Sequence, residues 1–257
     1  GDNWPEAYRN QAYTLNFHGR RVNRERLGRH GTGYVARHAP DFLLSRDPWF
    51  RGIDLTAGPD GSVFVLDWSD MGECHNANGI NRTSGRVFKV TYGRPAPAPG
   101  PDLMRAPLRE LVAWQTHANE WWVRQARLEL ARRTAAGGEM SAAKTQLREM
   151  LAQAGDAVSA LRARWALRAV GDADAAFCRA LLSHQSEYVR AWAVRLLTDE
   201  WPLDTVLSGR PRTGTPPDAA LVQELVALAR TDPSGLVRLT LASTLQRLPV
   251  ASRAELA

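Results

Sequence analysis

Residues 93–101 read Gly93-Arg94-Pro95-Ala96-Pro97-Ala98-Pro99-Gly100-Pro101. Alternating prolines fix φ, remove backbone donors and favour an extended polyproline geometry, so neither a helix nor a sheet ladder can run through this stretch. The hydrophobic period differs on its two sides. That break predicts a multi-domain chain, β then α, with a strand-rich part at 1–93, a linker at 94–102 and a helical part at 103–257.

On the first side, Tyr13-Thr14-Leu15-Asn16-Phe17 is β-prone, and Gly58-Pro59-Asp60-Gly61 is a strong turn. The turn launches Val63-Phe64-Val65-Leu66, an apolar run too short for a helix and suited to a strand buried on both faces. Arg86 to Tyr92 then alternates, with Phe88, Val90 and Tyr92 on one side. Six or seven short strands are expected. Propeller blades hold four strands each, so this length supplies the last one to two blades of a partial β-propeller, part of a longer protein.

Beyond the linker the period becomes helical. Four segments look alike: Asn119-Glu120-Trp121-Trp122-Val123-Arg124, Ser159-Ala160-Leu161-Arg162, Ser186-Glu187-Tyr188-Val189-Arg190 and Ser234-Gly235-Leu236-Val237-Arg238. Each opens on a residue able to cap a helix N-terminus, and each is preceded by another apolar helix, near 103–116, 141–154, 173–183 and 218–230. Paired helices with one apolar face apiece stack on their neighbours, which predicts an α-solenoid of HEAT-like pairs. Trp165 and Trp192 fall in the apolar stripes and are expected in the core. Residues 207–217 read as a loop. The arginines of the four segments suit ion pairs between neighbouring repeats; they also admit a phosphate-tracking reading.

Charge bears on that choice. The net charge of +6 is split evenly between the two sides of the linker, with no basic tail, which argues against nucleic acid. No apolar run is long enough to span a membrane. The chain opens Gly1-Asp2-Asn3-Trp4-Pro5, without an initiator Met or signal-peptide pattern. Cys74 and Cys178 fall on different sides of the linker and show no metal-ligand spacing, so two unpaired thiols are expected.

Several motifs recur in a set order: Asn16 to Arg24 with His18, Arg20 and Arg21; Asp41-Phe42-Leu43; Asp47-Pro48-Trp49-Phe50-Arg51; Gly58 to Gly61; Asp67-Trp68-Ser69-Asp70; Gly72-Glu73-Cys74-His75; Ser84 to Phe88; and Asn119 to Arg124. Together they resemble the end of the propeller in a family of large secreted planctomycete proteins, usually labelled membrane-bound dehydrogenases or heme-binding CxxCH proteins. That propeller is similar to the one in sugar dehydrogenases that use pyrroloquinoline quinone (PQQ). The resemblance implies an extracytoplasmic or periplasmic location, dehydrogenase ancestry, PQQ as cofactor and a sugar or alcohol as substrate. A cytochrome or another protein would then dock through the helical repeats. No CxxCH occurs in this chain, so no heme-attachment site is present.

Two clusters could carry chemistry. His18 follows a predicted strand and could accept a proton from a substrate hydroxyl as hydride leaves to the quinone. Arg20 and Arg21 could pair with the quinone's carboxylates. The same three residues could instead be loop groups bonding nearby backbone. In the second cluster Asp67, Asp70, Glu73 and His75 could hold a calcium ion, which prefers several oxygen ligands. The alternative is a structural loop tied by carboxylate-to-backbone bonds. Two functions are therefore expected: a fragment of a quinone-dependent sugar or alcohol dehydrogenase, or a non-enzymatic scaffold for protein or polysaccharide.

Overall fold

The β-prone run, the Gly-Pro-Asp-Gly turn and the helical stripes each fold locally as their patterns dictate. A computed structural model describes residues 2–72, 81, 83–95, 100, 102–204 and 217–257. Among them the chain forms β1 (Gln11–Asn16), β2 (Arg21–His30), β3 (Gly33–Leu44), β4 (Gly52–Ala57), β5 (Val63–Asp67) and β6 (Arg86–Val90). These make two three-stranded antiparallel sheets, ordered β1-β2-β3 and β4-β5-β6.

Among the described residues the expected propeller blades are therefore not found. A blade needs four strands, and each sheet stops at three. The cause lies in residues 21–44, where two long strands of ten and twelve residues form a single hairpin in place of several short strands. Its tip turns at Gly31, whose φ of +56° suits glycine. The outer arms, rich in Arg, Glu and His, are largely exposed, so no apolar alternation announced them. In the second sheet β5 is central. Val65 is fully buried there, while Phe64 and Leu66 are half-buried, so one face alone is sealed. The predicted turn joins β4 to β5, with Gly61 at φ +77° and Asp60 Oδ1 accepting the Ser62 N–H at 3.1 Å.

Among the described residues eight helices follow: α1 (Leu108–Ala113), α2 (Glu120–Ala135), α3 (Ser141–Ala152), α4 (Ala157–Ala169), α5 (Ala175–Ala180), α6 (Glu187–Thr198), α7 (Ala219–Thr231) and α8 (Gly235–Thr244). They are compatible with the expected solenoid. The first helices of the first and third pairs each end in a single 3-10 turn, Trp114–Thr116 and Leu181–Ser183. Ser234 caps α8 by accepting the N–H groups of Leu236 and Val237. At α4 the cap is Asp156 rather than Ser159: its carboxylate accepts two N–H groups, at 2.8 and 2.9 Å. The predicted loop at 207–217 falls almost wholly outside the described residues.

By packing, the chain divides into two units. One holds Gly1–His30 and Tyr34–Glu129; the other holds Gly31–Gly33 and Leu130–Ala257. In the first, Val22, Phe50 and Val65 of the sheet region and Leu111, Val123 and Ala126 of α1 and α2 are buried. Asn119 joins these parts. It is 1 % exposed; its Nδ2 donates to Gly58 O and Pro59 O, both at 3.1 Å, and its Oδ1 accepts the Trp121 N–H. Trp122 adds Nε1–H to Pro59 O at 3.0 Å and stacks on Trp114.

In the second unit a core of Val194, Leu221, Leu225, Val237, Leu241 and Leu248 gathers from α6, α7, α8 and the segment after α8. The second helices of successive pairs are neighbours, α4 on α6 and α6 on α8. Trp165 and Trp192 meet edge to face at 5.1 Å, half-buried. One expected rung between repeats is fully formed. Arg190 Nε and Nη2 bind Asp232 Oδ2 and Oδ1 at 2.7 and 2.9 Å, with side-chain exposures of 12 % and 2 %. Arg190 also donates to His184 O and Gln185 O, and Arg238 donates to Pro233 O in its own turn.

Candidate functional site

His18, Arg20 and Arg21 occupy the turn between β1 and β2 and the first residue of β2. The turn is held by Gly19 N–H donating to Asn16 Oδ1 at 2.7 Å and Ser45 N–H donating to Arg20 O at 3.0 Å. His18 is exposed, with its ring edge-on to Phe17 at 5.2 Å. Arg20 adopts φ +53°, a left-handed conformation that costs a non-glycine residue about 1–2 kcal/mol. Arg21 pairs with Asp41 at 3.3 Å.

Asp67 and Asp70 close the end of β5. The Asp67 side chain is wholly buried. Its Oδ1 accepts the N–H groups of Arg51 at 2.7 Å and Ser69 at 2.9 Å, and its Oδ2 accepts Arg86 Nε at 2.8 Å. Arg86 continues to Asp47 at 2.7 Å. Asp47 sits below its ordinary pKa because the Trp49 N–H donates to it and, next, because of Arg86; the Arg20 charge contributes as well. Asp70 is held low first by the Gly72 N–H, against the opposing effect of burial, and also accepts Trp68 Nε1–H at 3.3 Å.

Asp47 thus feels both clusters: Arg86 bonds it and also holds Asp67, and the Arg20 charge acts on it from a distance. Asp47 and Arg86 stood in the sequence reading only within longer motifs, with no site role given to either. The signal was their alternating sign, which spacings of 19 to 39 residues conceal. Asp67 and Asp70 spend their oxygens on backbone, arginine and indole donors, so as placed they do not fit a calcium ion. Among the described residues no group of three or more His, Cys, Asp or Glu could hold a metal. Glu73 and His75, the other two expected ligands, lie outside the described residues, as does Cys74.

The first unit also holds a crevice of about 390 Å³ between β1 and β4, which sequence spacing gave no means of finding. Its aromatic wall is built by Trp4, Tyr8, Tyr13 and Phe42. Trp4 and Phe42 stand 4.9 Å apart, and Tyr13 meets Phe42 edge-on at 5.2 Å. Leu55, Ala57 and Val63 form the aliphatic side, and Gln11, Thr56 and Glu120 are among the polar groups. Tyr13 OH donates to Tyr8 O at 2.6 Å. Burial raises the Tyr13 phenol above its ordinary value, with Arg24 opposing, so the ring stays neutral. Arg9 is fixed by Trp4 O and Asp2 O, at 2.8 and 2.7 Å. Gln11 gives its amide N–H to Ala7 O, while among the described residues its Oε1 has no hydrogen-bond partner.

Residues 1–90 match a family model described as a domain of unknown function (DUF7133). Comparison with curated proteins and with solved structures gives no match. Among the described residues no helix is long and apolar enough to cross a membrane.

Proposed function

We propose that this chain is a non-enzymatic binding scaffold that holds a neutral saccharide in the crevice between β1 and β4. The observation that carries the reading is the make-up of that crevice: an aromatic wall together with amide, hydroxyl and carboxylate groups. Aromatic faces take the C–H face of a sugar ring, and planar polar groups take its hydroxyls. Charge selects against other ligands. An anion would face Asp2 and Glu120, and a cation would face Arg9.

The quinone-dehydrogenase reading places its working groups at His18, Arg20 and Arg21. Supporting the scaffold instead, Arg21 is committed to Asp41, and Asp67 and Asp70 are committed to structural donors. The test titrates the chain with cellotriose, maltotriose and chitotriose by calorimetry. At least one should bind with Kd of about 0.1–1 mM, or roughly −4 to −5.5 kcal/mol. Gln11→Ala and Phe42→Ala should each weaken it about tenfold, a loss of about 1.4 kcal/mol. No saturation by any of the three would overturn the proposal. So would sugar-dependent reduction of a dye acceptor with added PQQ that His18→Ala abolishes.

A further inference from the structure

Helix α4 carries an arginine, Arg164, that points into the second unit and is 0 % exposed. Among the described residues its Nε and Nη1 have no hydrogen-bond partner. Its remaining nitrogen, Nη2, lies 3.5 Å from Sγ of Cys178 on α5. Cys178 is a free thiol, 2 % exposed, whose sulfur is also 3.8 Å from Ala173 O.

This arrangement is unusual on physical grounds. Interiors rarely keep a guanidinium without an acceptor, and orphaned buried donors mark strain, a bound ion or a redox role. Burial pushes Arg164 below its ordinary pKa, with Cys178 opposing it. The Arg164 charge also bears on His184, the residue that begins the turn into α6. A crevice of about 280 Å³, lined by Ala160 and His184, opens one helical turn from Arg164 along α4. A solute the size of a peroxide fits such an opening.

From the geometry of this pair we propose that Cys178 is a peroxide-oxidised sulfur whose sulfinate Arg164 holds by a charge-assisted fork. In the first step the sulfur attacks one oxygen of hydrogen peroxide. An S–O bond forms, the O–O bond breaks, and the thiol proton leaves in water, giving sulfenic acid. A second peroxide repeats the two-electron oxidation and gives sulfinic acid and another water. The sulfinic acid loses its proton, and its two oxygens become the acceptors that Arg164 lacks in the reduced protein. Oxidation here would supply a missing partner, where in an ordinary apolar core it would bury an unpaired charge.

The test treats the whole chain with graded hydrogen peroxide in a Cys74→Ser background. Peptide mass spectrometry reads the gain of two oxygens at Cys178, and thermal melting is followed alongside. The sulfinate form should melt at or above the reduced form. In Arg164→Met, oxidation at Cys178 should be slower by about tenfold, because the electropositive neighbour is gone, and should lower the midpoint. Should Arg164→Met fail to fold, Cys178→Asp decides. Its carboxylate mimics the sulfinate and should melt no lower than Cys178→Ser. The proposal is overturned if Cys178 stays unmodified while the methionines oxidise, or if both Cys178→Asp and the oxidised chain melt below their references.

Discussion

Replacing Asp232 with alanine removes the buried rung between the third and fourth helix pairs, and its cost can be worked out. Asp232 makes two bonds to Arg190 and accepts the Ser234 N–H at 2.8 Å. Removing one member of a buried ion pair costs about 3–5 kcal/mol, because the remaining charge loses its partner. Arg190 keeps its bonds to His184 O and Gln185 O and is 12 % exposed, so the lower end applies. Losing the hydrogen bond from the Ser234 N–H adds about 1 kcal/mol. We therefore expect Asp232→Ala to destabilise the second unit by about 4 kcal/mol, against a typical total of about 5–15 kcal/mol. Urea denaturation followed by the fluorescence of Trp165, Trp192 and Trp201 measures it. Glu200→Gln is the reference: its partner Arg168 is 45 % exposed and Glu200 75 %, so breaking that pair should cost about 0.5 kcal/mol or less. If the two variants shift the midpoint equally, the argument from burial is wrong.

Three further outcomes are expected. Asn119→Ala should cost the first unit about 2–3 kcal/mol, since it removes three hydrogen bonds, one to each of the carbonyls of Gly58 and Pro59 and one from the Trp121 N–H; faster amide exchange along β4 and β5 would register it. His184 is held below its ordinary pKa of 6.5 first by burial and then by the charges of Arg190 and Arg164, and its Nδ1 accepts the Ser186 N–H. The unfolded chain then binds the proton more readily than the folded one, so His184's contribution is complete above pH 6.5 and declines as pH falls below it; melting curves should show this slope and lose it in His184→Gln. Burial alone would raise Asp232, but Arg190 and the Ser234 N–H outweigh it and hold its pKa low. The stability it provides is present above about pH 3.9 and lost as pH falls through the folded value, so Asp232→Asn should flatten the acid limb of a midpoint-against-pH plot.

The helical half was legible because its signals are local. Stripes at i, i+3 and i+4 and a capping residue lie within a few positions, and the predicted second helices near 120, 187 and 235 begin where the structure starts them. Even the one displaced cap is a local contest, in which the Asp156 carboxylate receives two N–H groups and displaces Ser159. The sheet half misled because long polar strands such as Arg21–His30 alternate only briefly: Val22 and Arg24 are buried, while residues 26–30 are exposed and polar in the main. Without that hairpin the apolar runs resembled short blades. The candidate site was the least legible part. Phe42 and Gln11 belong to one crevice through strand pairing, and Arg86 joins Asp47 to Asp67 across 39 and 19 residues of sequence. The partner of Arg190 lies 42 residues away, beyond any periodicity.

The Asn119 clasp has an evolutionary reading. Both carbonyls it seals belong to a turn about sixty residues earlier, and Gly61 in that turn has no room for a side chain beside Asn3. Neither segment is free to drift alone. A lineage that lengthened the turn would lose its reason to keep asparagine at 119 and an indole at 122, and one that lost the asparagine would be released to vary Gly58 and Pro59. Substitutions at these four positions should therefore arrive together across descendants, as a correlated block that crosses the proline-rich stretch unaffected by how that stretch itself diverges.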